Sequence, residues 1–166
     1  MPGLIKVIRE TRLDPRFPLS RHELLELVEV ILDSIGLEGN SFSLKLVGDG
    51  EIARLNERFL GCHGPTNILS FPADEDSGMD SPEVAASRGG VDSDTPVFLG
   101  ELALSVDALS REMDLYGQSP VGHLARLLTH GILHLAGYDH GDEMYDLTDL
   151  AVDRVLLEYA ERIEGE

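Results

Sequence analysis

Residues 119–140 read SPVGHLARLLTHGILHLAGYDH. Ser119 followed by Pro120 is a helix start: the hydroxyl caps the first turn, and the proline sits where a missing N–H costs nothing. From Leu124 to Ala136 the one formally charged residue is Arg126, so this helix is apolar on nearly every side and is expected to lie buried. Gly137 ends it.

The flanking segments provide the cover. Leu4 to Ile8 fits a first strand, and Ser20 with Glu23 forms a capping box opening a helix on which Leu24, Leu27, Val28, Ile31 and Ile35 recur at helical spacing up to Gly36. Phe42, Leu44 and Leu46 alternate as a second strand, and Asp49 is placed to cap a short helix carrying Ile52 and Leu55 towards Phe59. Pro65 to Pro72 (PTNILSFP) reads as a strand closed by proline, Phe98 to Ser105 as another strand, and Val106 to Tyr116 as a helix ended by Gly117. The last helix, Asp142 to Ile163, carries Val152, Val155, Leu156, Tyr159 and Ile163 on one face. Strands mixed with helices in this order imply an α/β (α+β) fold, one domain over residues 1–166 with a small mixed sheet packed with helices. Residues 74–96 hold seven acids and little to bury, and are expected to form a mobile acidic loop within that domain.

The chain has 166 residues and a net charge of −18, with 13 basic against 31 acidic side chains. That length buries a substantial core without a disulfide framework, and the single cysteine, Cys62, suits a reducing, cytoplasmic setting. The N-terminus lacks the apolar core of a signal peptide, and no stretch is long enough for a membrane span, so a soluble protein is expected. The acidic balance argues against nonspecific phosphate binding by the whole surface. The deficit is uneven: residues 1–60 carry 8 basic and 10 acidic side chains, residues 61–166 carry 5 and 21.

Three of the six histidines fall at 130, 134 and 140. His130 and His134 are four apart on a helix, so their rings share a face one turn apart. The Gly137 turn lets His140 return to the same point, completing a three-histidine metal site at the helix end and the following turn. Three neutral imidazoles around one Zn²⁺ per chain leave a fourth position open, the arrangement of a catalytic rather than a structural centre. His123 lies seven residues earlier and reads as a packing histidine; His22 and His63 read as surface residues. The spacing is also that of the metzincin proteases, HExxHxxGxxH, but Gly131 stands where those enzymes need a glutamate base.

HGILHLAGYDH, preceded by LNERFLGCHGPTNILSFP and LGELALS, resembles the YbeY family of bacterial endoribonucleases, which are metal-dependent and act in ribosomal RNA maturation and ribosome quality control. The resemblance implies that His130, His134 and His140 hold zinc, and that Thr66 to Pro72 lines a cleft beside them. Gly100 and Glu101 fall where the family usually has Gly-Asp. One departure concerns the arginine, important for activity, that the family generally carries six residues before the Thr-Asn pair. Leu60 stands there, and Cys62 stands at a second common basic position. Arg58 is the candidate replacement as the phosphate-holding catalytic cation, with Arg54 a turn away and His63 a further candidate; an arginine on an exposed helix is otherwise simply solvated. The expected substrate is single-stranded or ribosomal RNA, with ribosomal particles and a basic ribosomal protein as partners for so acidic a surface and no membrane. The competing readings are a metal-dependent hydrolase of a non-RNA substrate such as peptide, and a non-catalytic ribosome-assembly factor.

Overall fold

The computed structural model describes residues 6–9, 21–73, 97–116, 119–138 and 141–164. Among these residues four strands form one mixed sheet: β1 (Lys6–Arg9), β2 (Ser41–Val47), β3 (Ile68–Pro72) and β4 (Phe98–Ser105), in the spatial order β1-β2-β4-β3. β1 pairs parallel with β2, β2 parallel with β4, and β3 antiparallel with β4. Among the described residues five helices accompany them: α1 (Arg21–Ser34), α2 (Asp49–Leu60), α3 (Val106–Tyr116), α4 (Pro120–Leu135) and α5 (Asp142–Glu164). The fold is α+β.

Alternation divides the sheet into two faces. Phe42, Leu44 and Leu46 of β2 and Leu102 and Leu104 of β4 are buried against α1, α4 and α5 in the main core. The opposite face, with Val47, Leu69 and Ala103, forms a smaller cluster with Ile52, Leu55 and Phe71 under α2. Central β4 is therefore buried on both faces from Leu102 to Ser105, which is why it reads as a nearly continuous apolar run. α4 lies in the main core as its composition requires: Arg126 is its one exposed side chain between Val121 and Leu135, and it reaches Asp149 of α5 at 3.1 Å.

Two glycines mark close approaches. Gly100, at φ +138°, sits where β4 gains one residue relative to β2, and a β-carbon there would lie 2.3 Å from the Phe71 carbonyl oxygen. In α4, a β-carbon on Gly131 would meet Leu102 Cδ2 at 2.9 Å and Ile68 Cδ1 at 3.0 Å. These two residues bring β3 against β4 and α4 against the sheet.

Three local expectations change. Asp49 is the first helical residue of α2 rather than its cap; Gly48 holds the cap position and makes no side-chain cap bond. The freed helix donor is satisfied from another element, the Asp49 N–H donating to Asp107 Oδ2 of α3 at 2.9 Å. The Asp49 carboxylate instead accepts from the Ser105 hydroxyl at 3.0 Å and pairs with Arg111. In α5, Val152 and Val155 are buried but Leu156 is 38% exposed, because only a narrow stripe of this helix meets α1 and α4. The strand expected from Pro65 begins at Ile68. Ser20, Gly117, residues 1–5 and the acidic segment 74–96 lie outside the described residues.

Candidate metal centre

α4 begins as its sequence dictates, with the Gly122 N–H donating to Ser119 Oγ at 3.3 Å and Pro120 in the first turn. Its register then sets His130 and His134 on one side and Gly131 towards the sheet. The two imidazoles meet edge to face, with ring centroids 4.6 Å apart and planes at 84°, and their Nε2 atoms are 3.1 Å apart. Both rings are half-buried. On the sheet side, Ser70 of β3 donates its hydroxyl to the Gly131 carbonyl at 3.3 Å, tying the edge strand to the turn between the histidines.

The helix closes on a Schellman turn: the Tyr138 N–H donates to the Leu133 carbonyl at 3.0 Å and the Gly137 N–H to the His134 carbonyl at 3.1 Å. Gly137 adopts φ +96°, reversing the chain immediately after the second histidine. His140, the expected third ligand, lies outside the described residues, and among the described residues no group of three or more His, Cys, Asp or Glu side chains converges. The pair itself fits a metal. Two nitrogens each about 2.0–2.1 Å from one tetrahedral zinc lie about 3.3 Å apart, close to the 3.1 Å observed.

His123 points elsewhere. It is 7% exposed, and its Nε2 lies 2.7 Å from Glu112 Oε1 of α3. Asn67 donates to the same carboxylate, 3.3 Å from Oε2, while its own Oδ1 accepts the Ile68 N–H at 2.7 Å. A buried histidine thus anchors the start of β3 to α3, a packing role that matches its expected one. The sequence carried no sign of Glu112 as its partner, because the two lie on different helices. His22 is exposed and paired with Glu26 at 2.7 Å, and His63 is exposed.

Arg58 is not among the side chains around the histidine pair. It lines a groove of about 930 Å³ on the α2 face of the sheet, together with Lys45, Phe59, Phe71, Phe98 and Glu101. Strand alternation puts Ser70, facing α4, and Phe71, facing α2, on opposite sides of β3, so the edge strand separates the two sites. Arg58 is exposed, with its guanidinium carbon 5.3 Å from the Phe59 ring centroid. Arg54 is held by Glu51 at 2.8 Å. Leu60 and Cys62 are exposed on the segment that leaves α2, where Gly61 forms the left-handed C-cap and Asn56 donates to the Gly64 carbonyl at 3.0 Å.

An α+β sheet whose edge strand is pinned to a helix bearing two convergent imidazoles defines a class: a protein with a histidine-based candidate centre at a helix end. The family model described as Endoribonuclease YbeY matches residues 14–151. A protein of that name from Oleidesulfovibrio alaskensis is 49% identical over 138 residues, covering 80% of this chain and 81% of that protein. Another, from Nitratidesulfovibrio vulgaris, is 43% identical over 143 residues, covering 85% and 88%. The chain belongs to the YbeY endoribonuclease family. The solution structure of TM1509 from Thermotoga maritima shares the fold, with a TM-score of 0.61 at 23% identity over 98% of this chain and 96% of that one. Among the described residues no helix is long and apolar enough to cross a membrane.

Proposed function

We propose that this protein is a single-strand-specific, zinc-dependent endoribonuclease acting in ribosomal RNA maturation and ribosome quality control. The observation that carries the reading is the 3.1 Å approach of His130 and His134 Nε2 just before a chain reversal that leads to His140, in a chain whose relatives are named endoribonucleases.

His130 and His134 would hold the ion through Nε2, and His140 would complete the set. When bound, zinc supplies a Lewis acid for a phosphoryl oxygen and an acidified water near neutral pH. The chain's own residues keep the ligands in place. The Gly131 carbonyl accepts from Ser70, and the close Gly131 contact with Leu102 and Ile68 prevents rotation of the helix that would part the rings. A strand of RNA reaching the pair would cross the edge of β3, and Arg58 on its far side is a cation to hold a neighbouring phosphate.

Gly131 weighs against a peptidase. A glutamate there would drive its side chain into Leu102 and Ile68 rather than towards the histidines, so the position has no room for the base that peptide hydrolysis needs. Given the net charge of −18, recruitment to ribosomal particles would rest on a basic ribosomal protein more than on phosphate contacts. The test is metal analysis of the purified protein combined with cleavage of an unstructured RNA, for wild type and His130→Ala. Zinc bound near one per chain, with cleavage lost in the variant, supports the reading. Full-rate cleavage by folded His130→Ala protein would refute it.

A further inference from the structure

We propose that the groove on the α2 face is a binding subsite for one nucleobase of the RNA strand, with guanine preferred. That the base belongs to RNA rests on the endoribonuclease reading; the chemistry of the groove stands on its own residues.

Phe59 and Phe71 meet edge to face, centroids 5.3 Å apart at 65°. Phe59 is 56% exposed and Phe98, also in the lining, 49%. Two half-exposed phenylalanines in one concavity form an apolar patch of the kind that marks a contact surface. A flat nucleobase fits such a wall, because every base offers a face for stacking. Arg58 lies against the Phe59 ring, which holds a planar cation beside the same wall for a phosphate or a second stacking surface.

The groove also holds acid, which a surface built only for phosphate would exclude. Glu51 is occupied by Arg54. Glu101 is different: it is the direct cross-strand partner of Phe71 in the unbroken antiparallel register of β3 and β4, and it is exposed in the groove lining. A carboxylate beside an aromatic platform accepts hydrogen bonds, so it selects a base edge rich in donors. Guanine presents adjacent N1–H and N2–H donors that a carboxylate accepts as a pair. Uracil presents one N–H flanked by two carbonyls, which the carboxylate repels.

The probes are guanosine 5′-monophosphate and uridine 5′-monophosphate, titrated into the intact protein and followed by two-dimensional amide NMR. The guanosine nucleotide is expected to move the signals of Phe71, Gly100, Glu101 and Ala103 and to bind about tenfold more tightly than the uridine nucleotide. Phe59→Ala, at an exposed position, should weaken it about fivefold or more through lost stacking. Glu101→Gln should abolish the preference between the two nucleotides, with circular dichroism checking that both variants fold. Equal binding of the two nucleotides, shifts that avoid the groove, or a preference that survives Glu101→Gln would overturn the proposal. RNA cleavage without nucleotide binding here would remove this inference alone. Nucleotide binding here without RNA cleavage would remove the endoribonuclease reading and leave the nucleotide site.

Discussion

Gly131 and Leu102 are so close that a β-carbon on the glycine would lie 2.9 Å from Leu102 Cδ2. The contact fixes which side of α4 meets the sheet and, with it, which side carries His130 and His134. Gly131→Ala should cost about 1–3 kcal/mol in overpacking, reduced by about 1 kcal/mol from the better helix former. The expected outcome is a net loss of up to about 2 kcal/mol in chemical denaturation. Gly131→Glu should be far less stable and should show no peptidase activity.

His130 and His134 are half-buried and sit in no hydrophobic cluster, so replacing either with alanine should leave the unfolding midpoint of the metal-free protein nearly unchanged, while any extra stability that added zinc gives the wild type should be lost in the variants. Metal content should fall, and RNA cleavage should drop by at least about a hundredfold, beyond the 10–100-fold typical when a ligand's supporting partner is lost. Parallel metal analysis and cleavage assays check this. Removing metal from the wild type with a chelator should give the same loss, reversed by adding zinc.

The Arg111 guanidinium beside Asp49, with help from the Ser105 hydroxyl, holds the Asp49 carboxyl below its ordinary value of 3.8. The folded state therefore keeps the carboxylate at a pH where the unfolded chain has begun to protonate it. Asp49's contribution is complete above about pH 4 to 5 and is lost as pH falls through the lower, folded value. Asp49→Asn should flatten the acid limb of a stability-against-pH curve below about pH 4, and should cost little near pH 7 because the ion pair is exposed to solvent. Thermal unfolding across that range is the measurement.

Leu60 is 56% exposed at the end of α2, so Leu60→Arg should fold normally. One added phosphate contact on a single strand should steepen the dependence of log binding constant on log salt by about 0.7. Fluorescence anisotropy with a labelled unstructured RNA at several salt concentrations reads that slope. An unchanged slope would mean that the side chain at 60 does not meet the strand.

Local chemistry made much of this legible in advance. The alternation of Phe42, Leu44 and Leu46 marked β2, and the span from Phe98 to Tyr116 divided into strand and helix where the structure divides it. Ser119, Pro120 and Gly137 bound α4 as caps because each satisfies or releases backbone groups within a few residues of itself. Asp49 misled for the same reason: an aspartate before a helix ordinarily caps it, but here Asp107, Ser105 and Arg111 arrive from distant sequence and take over both roles.

By itself the sequence determined the elements, the apolar character of α4 and the spacing that puts His130 and His134 on one side, since helical period and capping act over a few residues. Tertiary structure decided what those elements face. Gly131 reads as a missing catalytic glutamate in one dimension and as a close helix-to-sheet contact in three. His123 acquires its Glu112 partner only when α3 and α4 pack together. The antiparallel register of β3 and β4 aligns Glu101 with Phe71, while pleating puts Arg58's groove and the histidine pair on opposite sides of β3. Register and packing couple residues tens of positions apart, and no local pattern encodes which strand will lie between them.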